Sequence, residues 1–213
     1  MKDLAIYGFG GFGREIASII HSINRVEPQW NIIGFFDDGV EPDKANRYGK
    51  VLGGLDTLNA WSTSLNVVMA IASPAILQKL TSAIHNPNVS FPNIIAPTAL
   101  FFDAGTVQMG RGNVLCHNVR ISCDVSLGDF NLLNGAVSLG HDVVLGSYNM
   151  LQPETRISGE TTVGDANFFG VRSLVLQGLK IGNNTRIGTG SVVMRKTKDG
   201  MTYFGNPAKI WAP

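Results

Sequence analysis

Residues 125–146 read VSLGDFNLLNGAVSLGHDVVLG. Within that stretch Leu127, Leu133, Leu139 and Leu145 recur every sixth residue, and Gly follows three of them. Extended in both directions, the same frame runs Met109, Leu115, Ile121, then Leu151, Ile157, Val163, Phe169, Val175, Ile181, Ile187 and Val193, fifteen large apolar residues without a break. At 44% hydrophobic content such a run has a chance of roughly four in a million in one reading frame. The residue after the apolar one is Gly in eight of the fifteen, and the residue two before it is Val, Asn, Thr or Ser in fourteen, with Leu179 the exception. A period of six has a mechanical meaning. Each hexapeptide supplies one short strand and one turn, and three hexapeptides close one triangular coil of 18 residues. The large apolar residue then points inward, the small one fills the remaining interior, and Gly is expected at turns that need unusual backbone angles. This is the hexapeptide class of parallel β-helix. Fifteen repeats make about five coils, a prism ~24 Å tall at the spacing of neighbouring strands.

Before residue 97 the pattern differs. Leu4-Ala5-Ile6-Tyr7 is a short apolar run that ends at Gly8, and from Arg14 onward Ile16, Ile19, Ile20 and Ile23 fall on one helical face. Ile32–Phe36 and Val67–Ile71 are further buried-strand candidates, Ser73-Pro74 opens a helix, and Val89 to Ile95 reads as a last strand. Alternating strands and helices predict a small Rossmann-like α/β domain over residues 1–97, followed by the all-β prism over residues 98–213. The chain has 213 residues, 22.9 kDa and a formal net charge of +1, which gives no electrostatic reason to expect nucleic acid. Charged residues are only 15%, against ~25% in an average globular protein, so much of the surface is expected to be buried between subunits. No apolar run is long enough for a membrane span, no leader pattern opens the sequence, and the two cysteines, Cys116 and Cys123, form no spaced framework. A reduced cytoplasm is the expected location.

In an 18-residue coil, residues 18 apart stack in one column. Outward positions lie two and three places after the apolar residue. One outward column reads Cys123, His141, Gly159, Gln177, and the column beside it reads Asp124, Asp142, Glu160, three acids in line. A general base needs a His whose tautomer is held by an acceptor, which Asp142 or an acid stacked near it can supply. Gly159 has no side chain, so a ligand can approach its N–H, a donor suited to an oxyanion. A metal site is a rival reading. His117 repeats the phase of His141, but 24 residues separate them, one coil plus one face, and His21 and His85 lie in the first domain. A zinc site wants about three protein ligands, so the expectation is no metal.

The loop Gly8-Phe9-Gly10-Gly11-Phe12-Gly13 fits GxGxxG between a strand and a helix. A dinucleotide site expects an acid ~20 residues on. Here Asp37 lies 29 residues after Gly8. The loop reads better as backbone N–H groups and a helix N-terminus for a diphosphate, with a purely structural turn as the other reading.

Gly140-His141-Asp142-Val143-Val144-Leu145-Gly146 inside hexapeptides, with Gly205-Asn206-Pro207-Ala208-Lys209 near the C-terminus, resembles the left-handed β-helix acyltransferases. The first domain, with Tyr7-Gly8-Phe9-Gly10-Gly11-Phe12-Gly13-Arg14-Glu15 and Gly34-Phe35-Phe36-Asp37-Asp38, narrows the resemblance to bacterial sugar acetyltransferases of the sialic acid O-acetyltransferase family. These include the enzymes that N-acetylate nucleotide-linked 4-amino-sugars for surface glycan or glycoprotein precursors. The resemblance implies left-handed coiling and a homotrimer with each site between two prisms. It implies acetyl-CoA in the groove between them. His141 would be the base, Asp142 the acid that raises its basicity, and Gly159 the N–H at the acetyl carbonyl. Asn134 matches a position near the sugar; Val171 and Thr189, in one column, match the cofactor groove, as does Met150. Gly10, Gly11, Phe12, Asp37, Asp38 and Ser73 match positions that bind the nucleotide-sugar. Many members have His where Phe12 and Met150 stand here. Other readings of the whole chain are sugar O-acetylation, a γ-carbonic-anhydrase-like metalloenzyme, and a nucleotide-sugar-binding protein without catalysis.

Overall fold

The computed structural model describes residues 1–211 and divides the chain into two compact units, Met1–Pro97 and Thr98–Pro213. The first is built from β1 (Lys2–Tyr7), α1 (Gly11–Val26), β2 (Trp30–Phe36), β3 (Ala45–Asn46), β4 (Gly49–Gly53), α2 (Leu55–Asn59), β5 (Leu65–Met69), α3 (Pro74–Ala83) and β6 (Val89–Ser90). Its sheet order is β3-β4-β2-β1-β5-β6, parallel except for the β3–β4 hairpin. Leu4, Ala5, Ile6 and Tyr7 of β1 are buried, and α1 turns Ile16, Ile19, Ile20 and Ile23 into the same core. The expected last strand is split: β6 ends at Ser90 and a separate short strand forms at Ile94–Ile95. Pro92 lies between them and has no N–H for a ladder. Ser73 takes the N-cap position of α3 with Pro74 inside the first turn, but its hydroxyl makes no capping hydrogen bond.

The second unit is the prism. Its two-residue strands pair in parallel at a strict spacing of 18, Leu115 with Leu133, Ile121 with Leu139, Leu127 with Leu145. Leu115, Ile121, Leu133, Leu151, Ile157, Phe169 and Val175 are completely buried. The small residues two places earlier are buried too, and on one face they form a ladder of amides. The Oδ1 of Asn113 accepts from both N–H and Nδ2–H of Asn131, Asn131 Oδ1 does the same for Asn149, and Asn149 Oδ1 for Asn167. Thr185 ends the ladder by donating its N–H to Asn167 Oδ1. Each buried polar group is thereby partnered along the axis, which interior amides require.

The expected reason for the glycines needs correction. The turn residues with positive φ are mostly not Gly: they include Asn118, Asp124, Phe130, Ala136, Asp142, Tyr148, Glu154, Glu160 and Arg172. The left-handed conformation is unfavourable by about 1–2 kcal/mol for such residues. Each of these turns is pinned by a backbone bond to the turn one coil before, as in Asp142 N–H to Cys123 O (3.1 Å) and Glu160 N–H to His141 O (2.8 Å). The repeated Gly after the apolar residue serves packing instead. A Cβ on Gly146 would stand 2.3 Å from Asp165 Oδ1, and one on Gly164 would stand 2.4 Å from Asn183 Oδ1. Those same oxygens accept the N–H of Ser147 and Asp165 one coil earlier.

The ladder gives a direct test. Asn149→Ala leaves two donors of Asn167 and the Oδ1 of Asn131 with a lost partner inside the prism. The variant should be destabilised by about 3 kcal/mol, read as a lowered urea midpoint. A midpoint equal to that of the parent protein would mean the ladder contributes nothing.

Candidate active site

His141 and Asp142 occupy one corner of the prism, half exposed, with His141 Nδ1 2.7 Å from Asp142 Oδ2. Adjacent residues rarely face one another so closely in a strand. Here the chain enters the left-handed region at Asp142 (φ +56°) and the corner folds back on itself. Of the three stacked acids, Asp142 is the one bonded to the imidazole. A carboxylate at Nδ1 calls for a proton there, which leaves Nε2 as the free lone pair. That nitrogen hangs over Gly159: a Cβ built on Gly159 would lie 2.6 Å from His141 Nε2. Any side chain at position 159 would push the ring away. The N–H of Gly159 makes no hydrogen bond among the described residues, while its carbonyl accepts from Gly178 N–H (3.0 Å). The corner thus carries an oriented basic nitrogen and an unused backbone donor side by side, the two parts that acyl transfer needs.

Asn134, Val171 and Thr189 stand on the neighbouring corner, one face of the coil away. Val171 and Thr189 are both exposed in one column, closed by Gly190 N–H to Val171 O at 2.8 Å. Asn134 is half-buried, its Oδ1 accepting Gly135 N–H at 2.7 Å. Within one chain these residues do not meet His141. Met150 is a correction: its side chain is completely buried beside Leu132, its partner in the ladder, and presents nothing to a cofactor. His117 is on the same corner as Asn134, with Nδ1 2.8 Å from Thr98 Oγ1. No group of three or more His, Cys, Asp or Glu among the described residues is placed to hold a metal ion.

In the first unit, the parallel strands bring the ends of β1, β2 and β5 to one edge. Their loops carry Gly10, Gly11 and Phe12, then Asp37 and Asp38, then Ser73. This is the crevice where an open parallel sheet reverses its winding, the usual place for a ligand. The loops are knitted together. Gly8 N–H donates to Phe36 O, Ala70 N–H to Tyr7 O, and Phe9 N–H to Asp37 Oδ2 at 2.9 Å. The glycines divide by task. Gly8 (φ +117°) and Gly13 are packed so tightly that a Cβ would meet Ala70 O at 2.8 Å and Gly8 O at 1.9 Å. Gly10 and Gly11 are exposed, with nothing closer to a Cβ than Arg14 Nη2 at 3.9 Å from Gly11. Phe12 is half-buried beside them. Asp38 already has two partners: Oδ2 accepts from Tyr7 OH at 2.5 Å and Oδ1 from Leu55 N–H at 2.8 Å, where α2 starts. Burial first, then the bond to Asp38, push the Tyr7 hydroxyl well above its ordinary pKa.

One feature escaped the sequence reading. Met194, Arg195, Lys196, Lys198, Tyr203 and Lys209 line a groove of about 680 Å³ at the last coil. Four of its lining residues are cationic, a surface suited to phosphates. The hairpin between Thr202–Phe204 and Lys209–Ile210 brings Lys209 back to the cluster. The signal available was the crowding of Arg195, Lys196 and Lys198 in four residues.

Residues 3–84 match the family model described as the PglD N-terminal domain. A search of curated protein sequences finds no match. Among solved structures, perosamine N-acetyltransferase from Caulobacter crescentus is similar over the whole chain, with 27% identity, TM-score 0.89 and coverage of 100% of this chain and 98% of that one. It was solved as a histidine-to-asparagine variant in complex with CoA and GDP-perosamine. The acetyltransferase domain of PglB from Neisseria gonorrhoeae, in complex with acetyl coenzyme A, is 25% identical with TM-score 0.88 and covers 99% of each chain. WeeI from Acinetobacter baumannii is 25% identical with TM-score 0.87, over 99% of this chain and 100% of that one. Both domains recur in the same order in these proteins, and the prism has their fold. The chain is an acyltransferase of the left-handed β-helix class whose first domain is of the PglD N-terminal type.

Proposed function

We propose that the protein transfers the acetyl group of acetyl-CoA to the amino group of a nucleotide-linked 4-amino-sugar, in the cytoplasm and as a homotrimer. The observation that carries this reading is the His141–Asp142 pair with Nε2 poised over Gly159. His141 Nε2 takes the proton that the amine loses as its nitrogen attacks the thioester carbonyl. Asp142 stabilises the imidazolium that forms. Gly159 N–H donates to the carbonyl oxygen while it carries negative charge. The C–N bond is then complete, the C–S bond breaks, and the proton on His141 goes to the departing thiolate. The exposed column of Val171 and Thr189 provides a wall for the pantetheine arm. Arg195, Lys196, Lys198 and Lys209 suit the phosphates of CoA. Asn134, Val171 and Thr189 stand a full face from His141, which is why the reading includes a second and third copy: a neighbouring prism is what supplies the other wall. The loops at Gly10, Gly11, Phe12, Asp37, Asp38 and Ser73 hold the nucleotide end. Amino rather than hydroxyl acceptors are favoured by the N-acetyltransferase among the similar structures.

A thiol-release assay tests the reaction. Acetyl-CoA is offered with UDP-, GDP- and dTDP-linked 4-amino-sugars beside their 4-hydroxy counterparts. CoA release with one amino-sugar and not with its hydroxy partner is the expected result; release only with hydroxy acceptors would make the protein an O-acetyltransferase. His141→Ala should lose about 10²–10⁴-fold in turnover while binding acetyl-CoA as before. Near-normal turnover in that variant would remove His141 as the base. The tautomer is a separate test. Nitrogen-15 NMR of neutral His141 should find the proton on Nδ1, and Asp142→Ala should shift it toward Nε2. A ring already protonated on Nε2 in the parent protein would contradict the assigned lone pair.

A further inference from the structure

We infer that the groove between α1 and the turn joining β3 to β4 is an anion site that holds the diphosphate of a nucleoside diphosphate, with Arg14 and Arg47 as its two cations. This rests on the reading of the first domain as the nucleotide end of the substrate site. The groove has a volume of about 640 Å³, within the range of small-ligand sites, and its lining includes Gly11, Arg14, Glu15, Asn46, Arg47 and Tyr48. Two guanidinium groups from separate elements border one space. Neither forms an ion pair within 4.0 Å among the described residues, and Glu15 is the single acid among the lining residues. Two unpaired cations at one groove repel until an anion joins them. The planar fork of arginine matches phosphate oxygens in pairs.

The turn is built as a rigid support. Arg47 lies over the Tyr48 ring, 4.6 Å from its centroid, and also donates to the Tyr48 hydroxyl. His21 meets the same ring edge-on at 5.3 Å. Asn46 Oδ1 accepts Tyr48 N–H at 2.8 Å, which fixes its amide orientation. Its Nδ2 is then a buried donor without a partner. On the helix side, Gly11 has no Cβ and faces only the Arg14 guanidinium, so a phosphate can reach the backbone there. The groove therefore starts at the exposed glycines after β1 and ends at a cation held by an aromatic ring.

Calorimetry on the full chain tests this, with UDP, GDP and dTDP, the matching nucleosides, and inorganic pyrophosphate. The parent protein should bind at least one nucleoside diphosphate. Arg14→Ala and Arg47→Ala should each weaken that binding about tenfold or more, leaving nucleoside and acetyl-CoA binding unchanged. Arg47→Lys, which keeps the charge and loses the fork, should restore part of the loss. Both arginines are exposed, and thermal melts of the variants control for folding. Diphosphate binding that survives Arg14→Ala, Arg47→Ala and the double Arg14→Glu/Arg47→Glu variant would overturn the inference and leave the nucleotide reading of the domain standing. Pyrophosphate binding that is lost in the variants while nucleoside diphosphate binding is kept would make the site one for free phosphate and overturn it equally. A parent protein that binds no nucleotide at all would overturn both.

Discussion

The carbonyls of one coil receive the N–H groups of the coil before it at an interval that never varies, Ser126 N–H to Val143 O, Val144 N–H to Thr161 O, Thr162 N–H to Leu179 O. That interval fixes the rest of the second domain. It places every side chain directly above its counterpart 18 residues away, so an amide can serve the next amide and an aspartate can serve the next backbone. It removes the room for a Cβ wherever a neighbour's side chain leans in. It also makes a left-handed turn tolerable on aspartate, tyrosine or arginine, because the hydrogen bond to the previous turn is part of the same lattice. The catalytic corner is a product of this repetition: Gly159 lies under His141 because both occupy the same phase of successive coils.

The first domain applies a different economy. Tyr7 is almost wholly buried at the end of β1, and its hydroxyl must find a partner there. Asp38 supplies it while also receiving the first N–H of α2, so one carboxylate ties three segments together at the edge where the loops gather. The raised Tyr7 pKa keeps that hydroxyl a donor. Asp37 does the same for the glycine loop through Phe9 N–H. With those two acids engaged in structure, Gly10, Gly11 and Ser73 keep groups open to a ligand at that edge.

How much of this was legible in the sequence depended on whether position alone decides the outcome. The frame from Met109 to Val193 was readable because a period of six needs no knowledge of distant partners, and from it the pairing of His141 with Gly159 followed by counting. The β3–β4 hairpin was not readable. Ala45–Asn46 is two residues long, too short for any alternation to register, and its existence depends on β4 joining β2. The basic groove was missed because Lys209 joins Arg195, Lys196 and Lys198 only after the tail doubles back. Met150 failed for the opposite reason. Its phase is that of a strand residue whose exposure differs from face to face, fully hidden here while Arg186, in the same column, is exposed. The role assumed for glycine failed because φ in these turns is set by bonds between coils rather than by the residue's own freedom.

The strict spacing of the coils also bears on how such a chain can change in length over generations. Gain or loss of 18 residues adds or removes one whole coil and leaves every column in register. A change of six moves all later residues to the next corner, so that His141 would arrive on a different side of the prism from the one its ancestors used. A change of one or two turns the buried leucines of every following coil toward water. Length variation that preserves chemistry is therefore confined to multiples of a full coil above or below the corner of His141, Asp142 and Gly159, or to bulges that leave the ladder at a turn and rejoin it at the same phase.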